Sequence, residues 1–346
     1  MKSRRLGISL ALLALALPFV LEGNRFLAFV FGMVMINVLW ASGMNLLYGY
    51  VGLMPLMFAG IAGVAAYAMV HLTRSLNWSF WLAMPVAALG AALVGVLLGL
   101  PSLRLKGFYF TLCSLVIQTV LTLAFIFFPQ YTNGDTGLNQ IAPPDWFGGV
   151  PLAGLWFDLV LAITAVAGVA LCAWLAPTRL GQRFIAIRED DVLAATLGID
   201  VVRNKIIAFF VVSLYAAVGG CFYATYVGFI SPRAFDVLTS LNIWLFVAFG
   251  GRGTILGPIL GAVILAPIPF LLQELQAFKD VLSGVLIIVV TLAMPGGIVG
   301  ELLRRRALRH AAAQPPLALQ PPLALQPPLA PPAPRPETAS APVPRP

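Results

Sequence analysis

Residue types that do covalent chemistry are scarce in this 346-residue chain and poorly spaced for it. Cys113, Cys172 and Cys221 all fall inside apolar stretches without metal-ligand spacing, and they read as small buried hydrophobes. His71 and His310 stand far apart without companions, so neither a metal site nor a histidine-based catalytic site is expected. There is no G-x-x-x-x-G-K-[ST] phosphate loop, and FGGRGTILGP at 249–258 lacks the lysine that reaches a nucleotide phosphate. What remains is recognition chemistry, and it is concentrated in GQRFIAIREDDVLAATLGID at 181–200. Here Phe184, Ile187, Val192, Ala195 and Leu197 stand among Arg188, Glu189, Asp190 and Asp191. That pattern predicts one amphipathic helix over 184–197, with Gly198 suited to its left-handed C-terminus. Such a helix either inserts into a groove on a soluble partner or rests on lipid, and the residues alone leave both readings open. In the first reading Arg183 and Arg188 face acidic groups and Glu189 and Asp190 face basic ones, while Ala194, Ala195 and Gly198 permit close approach. In the blander alternative the charges form a solvated face.

The elements that carry this loop must live in lipid. Hydrophobic residues make up 60% of the chain, charged residues only 10%, and the mean hydropathy is +0.95; a soluble domain carries roughly 25% charged residues. A spanning helix needs roughly 20 apolar residues. Apolar segments recur near 6–22, 26–47, 51–71, 79–100, 108–128, 152–176, 206–229, 236–250, 255–272 and 280–297. The expected fold is therefore all-α, a polytopic transmembrane bundle of about ten spans, or eight if 236–250 and 255–272 form one re-entrant hairpin. The first segment, preceded by Lys2, Arg4 and Arg5, resembles a signal peptide but reads better as an uncleaved span. Small residues at spacing four, such as Gly95 and Gly99, signal close helix packing, and Gly52, Gly60 and Gly63 read first as packing and second as flanks of a substrate path.

The formal charge of +8 comes from short basic runs between apolar segments, a topology signal and not a nucleic-acid face. Lys2 to Arg5, Arg104 and Lys106, the loop at 177–205, and Arg304 to Arg309 are expected in the cytoplasm, and the loop at 129–151, free of Lys and Arg, outside. Ten reversals satisfy all of these and leave both termini cytoplasmic. A permease domain over 1–303 is then followed at 304–346 by a basic stretch and a Pro-rich tail with the repeated hexad QPPLAL, expected to be disordered. Within the apolar runs the ionisable groups that an ion-coupled carrier needs are nearly missing. The polar residues Asn37, Asn45, Gln118, Thr119 and Asn242 fit helix-to-helix hydrogen bonds first. Asn45, Gly52, Gln118 and Asn242 are the weaker candidates for a substrate path.

The 181–200 stretch resembles the ATPase-coupling loop of the LivM-type permeases of branched-chain amino acid importers driven by ATP-binding cassettes. NLLYGYVG at 45–52, LRLKGFYFTLCSL at 103–115, TNGDTGL at 132–138, FGGRGTILGPILGA at 249–262 and MPGGIVG at 294–300 match in the same order, over about residues 35–300. The resemblance implies a bacterial inner-membrane subunit that pairs with a second permease, takes substrate from a periplasmic binding protein, and is driven by two separate ATPases. It implies no catalysis and no cofactor in this chain, since ATP and Mg would sit on the ATPases. Leu53 to Met57 replace the polar G-Q-x-S-L-G pattern usual in the family, which keeps urea or short amides open as substrates. An ion-coupled carrier and a non-transporting scaffold are the rival classes; the first predicts uptake driven by a proton gradient without ATP, and the second leaves the coupling loop without a purpose.

Overall fold

The computed structural model describes residues 2–21, 23–105, 107–145, 152, 154–271 and 285. The apolar segment at 280–297, apart from residue 285, and the tail at 304–346 lie outside the described residues. Among these residues the secondary structure is helical, with one isolated β-bridge between Leu138 and Ile230. Helix α1 is Lys2–Leu21, and α2 is Arg25–Asn45, started by Asn24, whose Oδ1 accepts from the backbone N–H of Phe26 and Leu27. A π-helical turn, Leu46–Val51, extends α2. Then follow α3 (Phe58–Ser75), α4 (Phe80–Leu103), α5 (Gly107–Phe127), the short α6 (Pro129–Thr132), α7 (Leu155–Leu175), α8 (Arg179–Glu189), α9 (Asp191–Thr196), α10 (Val201–Val227), α11 (Val237–Gly250), α12 (Leu256–Leu265) and α13 (Ile268–Leu271).

Among the described residues, five helices are long and apolar enough to cross a membrane: Arg25–Val51, Phe80–Leu103, Gly107–Phe127, Leu155–Leu175 and Val201–Val227. They coincide with five of the expected segments. In the segments expected at 51–71, 236–250 and 255–272 the helices are α3, α11 and α12, which are shorter or less apolar; α11, with 14 residues, spans about 21 Å against a hydrocarbon core of about 30 Å.

Contacts fix the direction of the helices. Trp40 Nε1 donates to Ala216 O and Tyr226 Oη donates to Ala28 O, so α2 and α10 run antiparallel. Gly60 meets Gln118 and Gly63 meets Phe125, so α3 and α5 run parallel. A Cβ on Gly99 would lie 2.7 Å from the Phe209 ring, and one on Gly95 2.9 Å from Ile61, which places α4 tightly between α10 and α3, as the spacing of small residues predicts. The turns at 46–57, 176–200 and 251–255 gather at one end. At the opposite end the 128–145 segment meets residues 228–235, through the Leu138 bridge and an ion pair of Arg233 with Asp135 at 3.0 Å.

The entry to α3 lies inside the bundle, and its free N–H groups are served by other helices. Leu56 N donates to Ser114 Oγ at 3.1 Å, Ala59 N to Ser240 Oγ at 3.0 Å and Gly60 N to Gln118 Oε1 at 2.7 Å. Gln118 Nε2 in turn donates to Phe235 O at 2.7 Å, just before α11 begins. In lipid such groups have no water to fall back on, so these side chains hold the broken chain together.

Candidate functional site

The charged segment at 179–200 folds as an elbow, not as the single helix over 184–197 that the amphipathic pattern predicts. Thr178 caps α8, accepting at Oγ1 from Gly181 N. The chain then breaks at Asp190, which is extended (φ −159°, ψ 113°) and whose Oδ1 accepts from Val192 N at 2.7 Å and Leu193 N at 3.1 Å. An aspartate here does more as a helix cap than inside a helix, because it satisfies two N–H groups that the next helix leaves free. The break splits the predicted apolar face: Phe184 and Ile187 are buried, whereas Val192, Ala195 and Leu197 are exposed. Gly198 ends the second arm at φ +81°, with Gly198 N donating to Ala195 O and Ile199 N to Ala194 O, a Schellman closure at the position expected to be left-handed.

Two anchors tie the elbow to the bundle, one on each arm. Arg188 on α8 enters a socket walled by glycines, where its Nη1 donates to Gly49 O at 2.7 Å in the π-helical turn. Gly52 has φ +84°, and a Cβ there would lie 2.9 Å from Arg188 Cγ; one on Gly253 would lie 3.1 Å from Arg188 Nη1. Asn45 closes the socket from behind, accepting at Oδ1 from Gly253 N at 2.8 Å and donating from Nδ2 to Thr254 O at 2.9 Å. Thus α2, α8 and the turn between α11 and α12 meet at one arginine. On the other arm, Asp191 pairs with Lys205 of α10 at 2.7 Å, with side chains 19% and 5% exposed. A pair this buried is firmly held, since separating it leaves a charge without solvent.

The other residues proposed from sequence fall into separate groups. Arg183 and Gly198 are exposed on the elbow, Glu189 bonds Arg188 at 2.5 Å, and Ala194 is buried beneath α9. Of the four substrate-path candidates, Asn45 and Gly52 belong to the arginine socket. Gln118 is buried at the entry to α3, and Asn242 is half-buried on α11 with no side-chain hydrogen bond among the described residues. Reasoning from sequence missed Gly49, Gly253, Thr254, Ser114 and Ser240. The glycines stood in the motifs NLLYGYVG and FGGRGTILGPILGA, but nothing in either motif says that it meets the other.

Residues 26–291 match the profile of a family described as "Branched-chain amino acid transport system / permease component". The high-affinity branched-chain amino acid transport system permease protein LivM of Escherichia coli (strain K12) is 27% identical over 336 residues, covering 90% of this chain and 79% of that protein. The permease protein LivH of Salmonella typhimurium is 25% identical over 278 residues, covering 75% of this chain and 90% of its own. The autoinducer 2 import system permease protein LsrC of Enterobacter sp. (strain 638) is 27% identical over 332 residues, covering 91% and 93%. No solved structure matches. The profile match takes in well over half of the sequence, and the chain accordingly belongs to the family of permease components of branched-chain amino acid transport systems.

Proposed function

We propose that this chain is one of two membrane-spanning subunits of an ATP-binding-cassette importer in a bacterial inner membrane, and that it moves leucine, isoleucine, valine or a related small solute inward. In this reading a second, similar permease completes the path, a periplasmic binding protein delivers the solute, and two ATPases supply the ATP and Mg that this chain does not hold. The end bearing the elbow faces the cytoplasm, in keeping with Arg104, Arg179, Arg183 and Arg203, and about ten crossings bring both termini to that side. The observation that carries the reading is the elbow. It presents Arg183, Val192, Leu193 and Leu197 outward while Arg188 and Lys205 lock it to α2 and α10. Closure of the ATPases then pushes on a part that is already fastened to the central helices.

The test is copurification of the chain with its ATPases and sister permease, followed by uptake of leucine, isoleucine, valine and urea into proteoliposomes. Uptake should require ATP and the binding protein. Uptake that follows a proton gradient without ATP would instead establish an ion-coupled carrier, and a reporter fused at residue 193 that reads as periplasmic would remove the ATPases from reach.

A further inference from the structure

At the end of the bundle opposite the elbow, the turn between α3 and α4 and the segment 140–145 enclose a cleft of about 510 Å³. Its volume falls in the range of about 300–1,000 Å³ that small-molecule sites occupy. Arg74 and Asp145 both line it, and neither has an ion-pair partner among the described residues. Trp78 and Trp81 supply aromatic wall. The rest of the lining includes Asn77 and Gln140, whose backbones are left-handed at φ 50° and 56°. Such conformations are rare for residues other than glycine and persist where the surrounding fold imposes them.

The cleft is braced before any ligand arrives. Trp81 Nε1 donates to Asp145 O at 2.8 Å, Ile141 N donates to Gly228 O at 3.1 Å, and Arg74 Nη2 donates to Asn139 O. Only one of the guanidinium nitrogens is engaged in that last bond, which leaves donors for a planar or tetrahedral anion. A carboxylate beside indole rings suits a cation, through both charge and the ring faces. A cleft with one unpaired charge takes simple ions of the opposite sign, but two unpaired charges of opposite sign select a molecule that carries both.

We propose that this cleft binds a small zwitterion, with its anionic group on Arg74 and its ammonium between Asp145 and the two tryptophans. A free amino acid and the phosphoethanolamine head of a lipid share this chemistry. Binding here needs no transport step, so it stands or falls apart from the importer reading.

Delipidated, purified complex in detergent would be tested against labelled leucine by equilibrium dialysis, with 4-methylpentanoate as its monoanionic match. Retention of phosphatidylethanolamine against phosphatidylglycerol would be measured by native mass spectrometry. Arg74→Gln and Asp145→Asn are exposed substitutions, and their melting temperatures would be checked against the parent. The expected result is that one zwitterion is held at least about tenfold better than its monoanionic match, and that each substitution weakens it about tenfold, the loss of one charge-assisted contact. Leucine lost in both variants assigns the cleft to a free solute, and phosphatidylethanolamine lost in both assigns it to lipid. Equal retention of zwitterion and monoanion overturns the proposal, as does either variant binding like the parent.

Discussion

Replacing Gly52 by alanine should unseat Arg188, and the size of the effect follows from the socket. Gly52 holds φ +84° and ψ 15°, a left-handed conformation that costs alanine about 1 kcal/mol. The new Cβ would stand 2.9 Å from Arg188 Cγ, close to the root of that side chain, so the whole side chain has to turn. Turning breaks the 2.7 Å bond from Nη1 to Gly49 O. A hydrogen bond from a charged group contributes about 1.5–3 kcal/mol, and the lower end applies here because Arg188 is 34% exposed and water replaces part of what is lost. Together these give about 2.5 kcal/mol, or roughly a sixtyfold shift toward the unseated elbow. The assay is a double-mutant cycle on the reconstituted complex with Gly52→Ala, Arg188→Gln and both, reading solute moved per ATP hydrolysed. Each single change should lower that ratio, and the pair should be little worse than Arg188→Gln alone, with an interaction energy of about 1 kcal/mol or more. If the two changes add within about 0.5 kcal/mol, Gly52 and Arg188 act independently and the socket has no mechanical meaning.

Three further outcomes test the same geometry. Gly198→Ala meets no heavy atom within 4 Å, so its cost is the left-handed backbone alone, about 1 kcal/mol, and hydrogen exchange should quicken over 191–199 while the bundle melts as before. Lys205→Met leaves Asp191, whose side chain is 19% exposed, without its partner and should cost about 1–3 kcal/mol in a thermal-melt series, most of which the double change Asp191→Leu with Lys205→Met recovers. Gln118→Leu strips Gly60 N–H and Phe235 O of their partners at about 1–3 kcal/mol each, so the melting temperature should fall while the KM for uptake holds; a raised KM at unchanged melting temperature would put Gln118 on the substrate path instead.

The lipid-embedded helices were legible because burial in hydrocarbon demands long apolar runs, and Phe80–Leu103, Gly107–Phe127 and Val201–Val227 each begin and end within a few residues of the hydropathy pattern. The elbow was legible in position but not in shape. Its apolar residues fit a single helical stripe, yet the preference of Asp190 for capping is a local effect that hydrophobic spacing does not register. The signal was there in an aspartate followed by Asp191 and then an apolar run, the mark of a helix start. The partners of Asn45 and Gln118 could not be read at all. Each reaches across the fold, 208 residues to Gly253 and 117 to Phe235, and one sequence carries no information on which buried amide meets which backbone group. Leu53 to Met57 carry no polar side chain, and the backbone here is served from neighbouring helices, by Ser114 at Leu56 N and, just after the stretch, by Ser240 at Ala59 N and Gln118 at Gly60 N.

The two anchors of the elbow differ in kind, and the difference bears on what a push there can do. Arg188 grips α2 through one hydrogen bond at a half-buried, glycine-walled site, whereas Asp191 grips α10 through a buried ion pair. In the proposed coupling role the second is the costlier to break, so α9 would follow α10, and a push would be taken up at Asp190, the joint between α9 and the more deeply packed α8. A shift of α8 reaches the turn at 251–255 through Gly49, Asn45 and Gly253, and that turn is the base of α11. At its other end α11 holds the entry to α3, by Ser240 on Ala59 N and by Phe235 O on Gln118. Hydrogen bonds join α8 to the π-helical turn, Asn45 to the turn after α11, and α11 to the entry of α3; a broken or short helix is the element that can tilt without tearing a continuous backbone ladder in lipid. The long, unbroken α4, α5 and α10 are then the frame against which it tilts.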